Sequence, residues 1–411
     1  VPLRHLFVDM NSFFASCEQQ DKPHLRDKAV AVIPTDAETT ACIAACYRAK
    51  ACGVRTGTPV WEARKLCPGI VCVVADHKRY VVMHNRLVAA VRRVLPIESV
   101  RSIDEVSCRL VGAEREPETA VAIAGRIKAE IHALAGDRMH CSVGIGPSTL
   151  LAKVAADMHK PDGLTVLADA DVPAALFRLK LTDFPGVGPR MERRLKLLGV
   201  VTVEQFCRAP VPTLAQVWGS KLLGERWYRL LHGEDVPDTP TRRQTVGHSH
   251  ILPPNLRTDA GAHGVLMRLV HKAAARLRKI DYWCGAVSVG VTFLGDERGE
   301  STRWEESTRV PRCQDTPAIL AAASKLWGLR IRGQPPFKVG TVLSELVPAR
   351  SATPSLFDED RKGENLSNAM DEVNAEFGAS VLYLGAMFGM RDAAPSRIAF
   401  TQIPDFDRRV N

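Results

Sequence analysis

Three acidic residues in this chain could do chemistry together. Asp9 closes the apolar run LRHLFVDM, and Asp104 and Glu105 stand side by side in VRSIDEVSCRL. A strand sends neighbouring side chains to opposite faces, so one acid of the pair should point into a core. An unpaired carboxylate there is costly unless something compensates it. Two arrangements would do so, and spacing alone leaves them even. If the strands are neighbours, the acids converge at a sheet end, where divalent cations neutralise them together with the phosphates of a substrate. Otherwise the acids sit in ion pairs, with Arg101 or Arg109 as the partner. Strict alternation is also relieved if Asp104 and Glu105 lie at a strand end or bulge.

The elements that must position these acids are legible in outline. LRHLFVDM reads as a short buried strand, and NSFFASCEQQ as a helix with Asn11 or Ser12 at its N-cap. SVRSIDEVSCRLVG and RMHCSVGIG are candidate strands of the same sheet. Between them ETAVAIAGRIKAEIHALAG is an amphipathic helix stopped by Gly136. A further helix, STLLAKVAADMHK, starts at Ser148 and ends before Pro161.

From about residue 167 to 235 the pattern is all-helical. Gly186-Val187-Gly188 between two short helices resembles a helix-hairpin-helix whose turn amides can face a phosphate, and RMERRLK, with Arg190, follows at once. The alternative is a plain tight turn. HGEDVPDTPTRRQT reads as a linker. Beyond it the order strand, helix, strand, strand, helix, strand predicts a separate α+β domain. Its long helix carries Arg268, Lys272, Arg276, Arg278 and Lys279, either a solvated face or, as expected here, a phosphate-contacting one. ARSATPSLFDEDRKGEN reads as polar and flexible, and LSNAMDEVNAEFGASVLYLGAM as one more helix and strand.

The length, 411 residues, allows two to four domains, and 45% hydrophobic with 25% charged residues is ordinary for a soluble protein. No apolar run reaches membrane-spanning length, and VPLRHLFVDM lacks the layout of a signal peptide. Eleven cysteines, none in a Cys-x-x-Cys pair, are expected as reduced thiols of a cytoplasmic protein rather than a zinc site. The net charge of +9 suits a polyanionic partner, although a merely basic enzyme would share it.

FVDMNSFFASCE, SIDE and SVGIGPSTLLAKVAADMHKPDG together resemble the Y-family translesion DNA polymerases of the DinB/UmuC type. The resemblance spans essentially the whole chain. It implies an α+β right-hand architecture: a palm of residues 1–10 and 75–166, fingers of 11–74, a helix-hairpin-helix thumb of 167–235, a linker of 236–243, a βαββαβ little finger of 244–350 and a tail of 351–411. It implies low-fidelity nucleotidyl transfer from a dNTP to the primer 3′-hydroxyl of a primer-template DNA. Asp9, Asp104 and Glu105 match the metal-binding acids, with the Met10 carbonyl as an extra ligand for two Mg2+ ions that Mn2+ can replace.

Phe14 matches the steric gate that clashes with a ribose 2′-hydroxyl, Phe13 is expected in the core, and the Ser12 and Phe13 amides are placed to meet phosphate oxygens. Tyr47 and Lys50 of YRAKACGVRTG, and Lys160 of HKPDG, match residues that grip the triphosphate. The reacting nucleophile would belong to the DNA, which explains why no Ser/His/Asp arrangement stands out. On the thumb and little finger, Gly186, Gly188, Arg190, Arg268, Lys272 and Arg276 are the implied DNA contacts.

The chain departs from the family pattern in places. Lys50 stands where many DinB members carry Arg, Ala44 where they carry Thr, and Val106-Ser107-Cys108-Arg109 follows SIDE in place of AYLD. PSLFDED resembles a degraded clamp-binding peptide with Leu356 and Phe357 as anchors for a sliding clamp. The segment beyond it is similar to UmuC tails and is a candidate site for an accessory protein. The competing reading is a non-catalytic scaffold that binds DNA and clamp, against which the retained acids argue. A nuclease using the same metal chemistry is a third.

Overall fold

Strand β1 (His5–Met10) is buried along its whole length, as expected of a mostly apolar strand covered on both faces, and the burial takes in the polar His5 and Asp9. The computed structural model describes residues 3–38, 40–237, 242–295, 302–331, 333–353, 358–395, 398 and 403. Helix α1 (Phe13–Asp21) follows β1 through Ser12, whose backbone is left-handed and whose side chain makes no capping bond. The chain then forms β2 (Val30–Ile33), β3 (Ala44–Ala45), α2 (Tyr47–Ala51), α3 (Val60–Leu66) and β4 (Val71–Val74), with the strands ordered β3-β2-β4.

Next come α4 (His77–Arg92), β5 (Ile97–Val100), β6 (Glu105–Arg109), α5 (Pro117–Ala135), β7 (Cys141–Gly146), α6 (Thr149–Met158) and β8 (Leu164–Val166). Strand β1 lies at the centre of the sheet β5-β6-β1-β7-β8, antiparallel to β6 and β7. The single strand expected over residues 99–112 is instead two, β5 and β6, separated by a bend. Arg101 N and Ser102 N both donate to the Glu105 carbonyl across that bend, so the polar residues 101–104 turn instead of extending.

Four helices follow: α7 (Pro189–Leu197), α8 (Val203–Arg208), α9 (Val211–Trp218) and α10 (Lys221–Leu231). Phe184, Val187, Leu195, Phe206, Leu214 and Trp227 form their common core. Gly186 has φ of 91°, a conformation that admits glycine freely, and Val187 beside it is buried.

The chain divides into two compact units, Val1–Asp238 with Arg397–Asn411, and Thr239–Ser396. The second unit contains β9 (Val246–Ile251), α11 (Asp259–Lys279), β10 (Tyr282–Phe293), β11 (Arg303–Cys313), α12 (Thr316–Gly328) and β12 (Pro336–Ser344). This is the βαββαβ order that the sequence predicts, folded as a sheet β11-β10-β12-β9.

The last stretch differs from expectation. Residues read as flexible open helix α13 (Asp358–Phe377). No strand follows among the described residues; a 3-10 turn at Gly385–Met387 does. Met387 is fully buried, so docking against the unit's core overrides the β-leaning composition of SVLYL. Among the described residues no helix is long and apolar enough to cross a membrane, and all eleven cysteines are free thiols.

Candidate active site

Alternation along β1 sends His5, Phe7 and Asp9 to one face of the sheet, and α6 runs along that face. Thr149 Oγ1 lies 3.1 Å from His5 Nδ1, Ala152 and Ala156 pack on Phe7, and Lys153, one turn further on, bonds Asp9. The helix comes this close because Gly144 of β7 lacks a side chain. A Cβ there would stand 2.0 Å from the Ala152 carbonyl and 2.2 Å from Ala156 N.

Asp9 is directly opposite Glu105 in the β1–β6 pairing, and Met10 N donates to the Asp104 carbonyl at 3.0 Å. Glu105 is the first residue of β6 and Asp104 belongs to the bend before it, so strand alternation does not separate them. Three acids from two remote parts of the chain therefore meet at one sheet end. The ion-pair partners of Asp9 and Glu105 are lysines, not the arginines considered from the sequence. Lys153 Nζ bridges Asp9, Glu105 at 2.7 Å and Asp157 at 3.2 Å. Lys160 Nζ lies 2.6 Å from Asp9 and 2.7 Å from Asp157. Arg109 pairs instead with Asp235 and Glu98 at the other end of the sheet. Asp104 accepts from the Ser102 hydroxyl at 2.5 Å.

The charges are unequal. Three carboxylates, of Asp9, Glu105 and Asp157, pair with two ammonium groups, and Asp104, held by the Ser102 hydroxyl, adds a fourth acid beside them. Burial would push the Asp9 carboxyl up, but Lys153 and Lys160 outweigh it and hold the group below its ordinary value. Burial wins at Asp104 and Glu105, whose pKa values are raised. Hard oxygen donors with surplus negative charge fit Mg2+ or Mn2+. With Lys153 bridging Asp9 and Glu105, however, no three His, Cys, Asp or Glu side chains among the described residues converge closely enough to hold a metal as they stand.

A second group gathers beside the acids. Lys50 Nζ donates to Ser12 Oγ at 2.8 Å and lies 4.4 Å from the Tyr47 ring centroid. Burial, reinforced by the charge of Lys160, pulls the Lys50 ammonium down; burial raises the Tyr47 hydroxyl. Phe13 is buried in the core and Phe14 is half-buried at its margin. Sequence reasoning missed Tyr80, on which Phe14 stacks, and Lys153 and Asp157. The signal for the last two was present: in AKVAADMHK, Lys153 and Asp157 are four apart and so share one face of α6, and Lys160 follows just past the end of that helix.

The expected DNA-facing residues separate into three groups. Gly186, Gly188 and Arg190 are exposed, at the turn and first residues of α7. Arg268 and Lys272 are taken up inside their own unit. Arg268 donates to Ser380 Oγ and Met387 Sδ, and Lys272 donates to the Ala394 carbonyl at 3.0 Å. The segment after α13 covers them, so the continuous phosphate-facing row predicted along α11 is not what forms. Arg276 is half-buried within reach of the charge of Arg243. Leu356 and Phe357 lie outside the described residues.

Comparison with known proteins agrees with this organisation. Residues 8–157 match the impB/mucB/samB family, residues 243–356 its C-terminal domain, and residues 182–235 the DNA polymerase-iota thumb domain. DNA polymerase IV of Moorella thermoacetica is 33% identical over 92% of this chain and 94% of its own. DNA polymerase IV 1 of Bacillus subtilis is 27% identical over 96% and 95%. Among solved structures, a Y-family DNA polymerase chimera of Dbh and Dpo4 superposes with a TM-score of 0.68 at 22% identity, covering 84% of this chain and 99% of the chimera. An insertion ternary complex of Dbh DNA polymerase gives a TM-score of 0.53 with the same coverage. With its palm, fingers, helix-hairpin-helix thumb and βαββαβ little finger, the chain belongs to the Y family of DNA polymerases.

Proposed function

We propose that the protein is a template-directed, low-fidelity DNA polymerase that extends a primer across damaged template by nucleotidyl transfer from a dNTP. The observation that carries this reading is the meeting of Asp9, Asp104 and Glu105 at one sheet end, with Tyr47, Lys50 and Lys160 beside them. Acids to hold cations and a cationic shelf for a triphosphate are what phosphoryl transfer requires.

Asp9, Asp104 and Glu105, with the Met10 carbonyl, would hold two divalent cations. When bound, these supply the positive charge that lowers the pKa of the primer hydroxyl and stabilises the leaving pyrophosphate. The residues of the chain do the rest. Lys50 and Lys160 offer ammonium groups to the triphosphate, and Tyr47 adds a hydroxyl. Phe14 fills the space a ribose 2′-hydroxyl needs. Gly186, Gly188 and Arg190 present amides and a charge to the backbone of the duplex. Leu356 and Phe357 anchor the chain to a sliding clamp, and the tail remains the candidate site for an accessory protein.

Primer extension with Mg2+ tests the reading. Wild-type protein should add nucleotides and the Asp104→Ala variant should not. Equal absence of product in both would favour a scaffold, and shortening of the primer a nuclease.

A further inference from the structure

Lys153 is a positioning residue of the metal site: we infer that its ammonium group is a built-in counter-ion that holds Asp9 and Glu105 before metal binds and must withdraw toward Asp157 when it does. The inference rests on the metal-site reading proposed above and concerns how that site is regulated.

Asp9 is 4% exposed and lies beside Glu105 in the strand pairing. A buried carboxylate beside a half-buried one repels it and has lost much of its water, so a folded chain without metal gains from a cation there. Lys153 provides it from α6, with one nitrogen reaching both acids. Its position is set by the sheet and not by its own flexibility: Ala152 and Ala156 press α6 onto Phe7, and Gly144 admits the helix. The same nitrogen also lies 3.2 Å from Asp157, one helical turn away, so an alternative acceptor is already in contact. Withdrawal needs a change of side-chain rotamer, not of backbone. Lys160 holds the other oxygen of Asp9 and Asp157 together with Lys153, which keeps Asp157 in place to receive it.

The consequence is a metal affinity lowered by an internal competitor. Only the fraction of molecules in which Lys153 has left Asp9 and Glu105 is ready to bind, and the apparent dissociation constant rises accordingly. Removing the ammonium group removes that penalty.

The test measures Mn2+ binding to the full chain without DNA or nucleotide, by electron paramagnetic resonance of free Mn2+. Lys153→Met should bind Mn2+ more tightly, on the order of tenfold, and Lys153→Arg, which keeps the charge, should stay near wild type. Asp9→Asn should lose the site in either background. If Asp9→Asn abolishes binding but Lys153→Met binds no tighter than wild type, the counter-ion role is overturned while the metal site stands. If Asp9→Asn leaves binding intact, the metal-site reading fails and the inference with it. A second measurement needs no substitution. Amine acetylation of Lys153, read by mass spectrometry, should speed up severalfold when Mn2+ is added; an unchanged rate would also overturn the proposal.

Discussion

The ring of Phe14 is stacked on that of Tyr80, with centroids 4.6 Å apart and an interplanar angle of 22°. The Tyr80 hydroxyl donates to Glu18 at 2.7 Å, and Glu18, 4% exposed, pairs with Lys22 at 2.7 Å. His77 closes the group edge-on to both rings. The proposed gate is therefore braced from behind, since a ring excludes a hydroxyl only if it cannot retreat.

Replacing Phe14 by Ala or Leu should raise ribonucleotide incorporation by about tenfold or more, because the discrimination is a clash. Tyr80→Leu, which leaves the gate in place but removes its backing, should give a smaller rise in the same direction. Single-nucleotide insertion with paired dNTP and rNTP reads both. An unchanged ratio in Phe14→Ala would remove the gate assignment.

Lys50 is held between Ser12 and the Tyr47 ring in a region where burial and Lys160 already disfavour its charge. A triphosphate would relieve that repulsion. Lys50→Ala should raise the KM for dNTP about tenfold, and Lys50→Arg, with a bidentate fork, should lower KM below wild type. Steady-state insertion kinetics decide; a KM insensitive to both changes would place the triphosphate elsewhere.

In the second unit, burial together with Lys272 and Arg276 pushes His248 down to about 4, and burial together with Arg268 and Arg278 does the same to His271. Both imidazoles are neutral in the folded chain, and His271 Nε2 is buried without a hydrogen-bond partner. The unfolded chain takes up protons below its ordinary pKa near 6.5. Stability should therefore be complete above that pH and decline as pH falls toward 4, by about 1–2 kcal/mol per histidine after allowing for partial exposure. Urea unfolding of the full chain at pH 7 and pH 5, with His271→Leu expected to lose less on acidification, checks the sign.

Arg278 is buried between α11 and α13, where it bonds Asp371 at 2.6 and 2.8 Å, the Gln314 carbonyl at 2.8 Å and Thr316 Oγ1 at 3.0 Å. Asp371→Ala leaves that guanidinium without its counter-charge and should cost about 1–3 kcal/mol. Hydrogen exchange should show α13 opening first, since its charge anchor is gone. Protection unchanged along α13 would mean that its apolar contacts suffice.

Local pattern carried much of this protein. The buried strand ending in Asp9, the helix capped at Ser148 and the βαββαβ order are each written in the spacing of one element, because strand and helix periods act over a few residues. The acids could be picked out by type, and motif resemblance assigned them a role. What sequence left open was their company. Lys153 and Asp157 join Asp9 and Glu105 only because β1 pairs in register with β6 and lays its odd-numbered face along α6. Tyr80 backs Phe14 because α4 returns beneath α1. Arg268 and Lys272 read as a free basic row until a segment more than a hundred residues later closes over them. Such meetings depend on strand register and on which faces are left to be buried, and both are settled by the packing of the whole chain rather than by any one stretch of it.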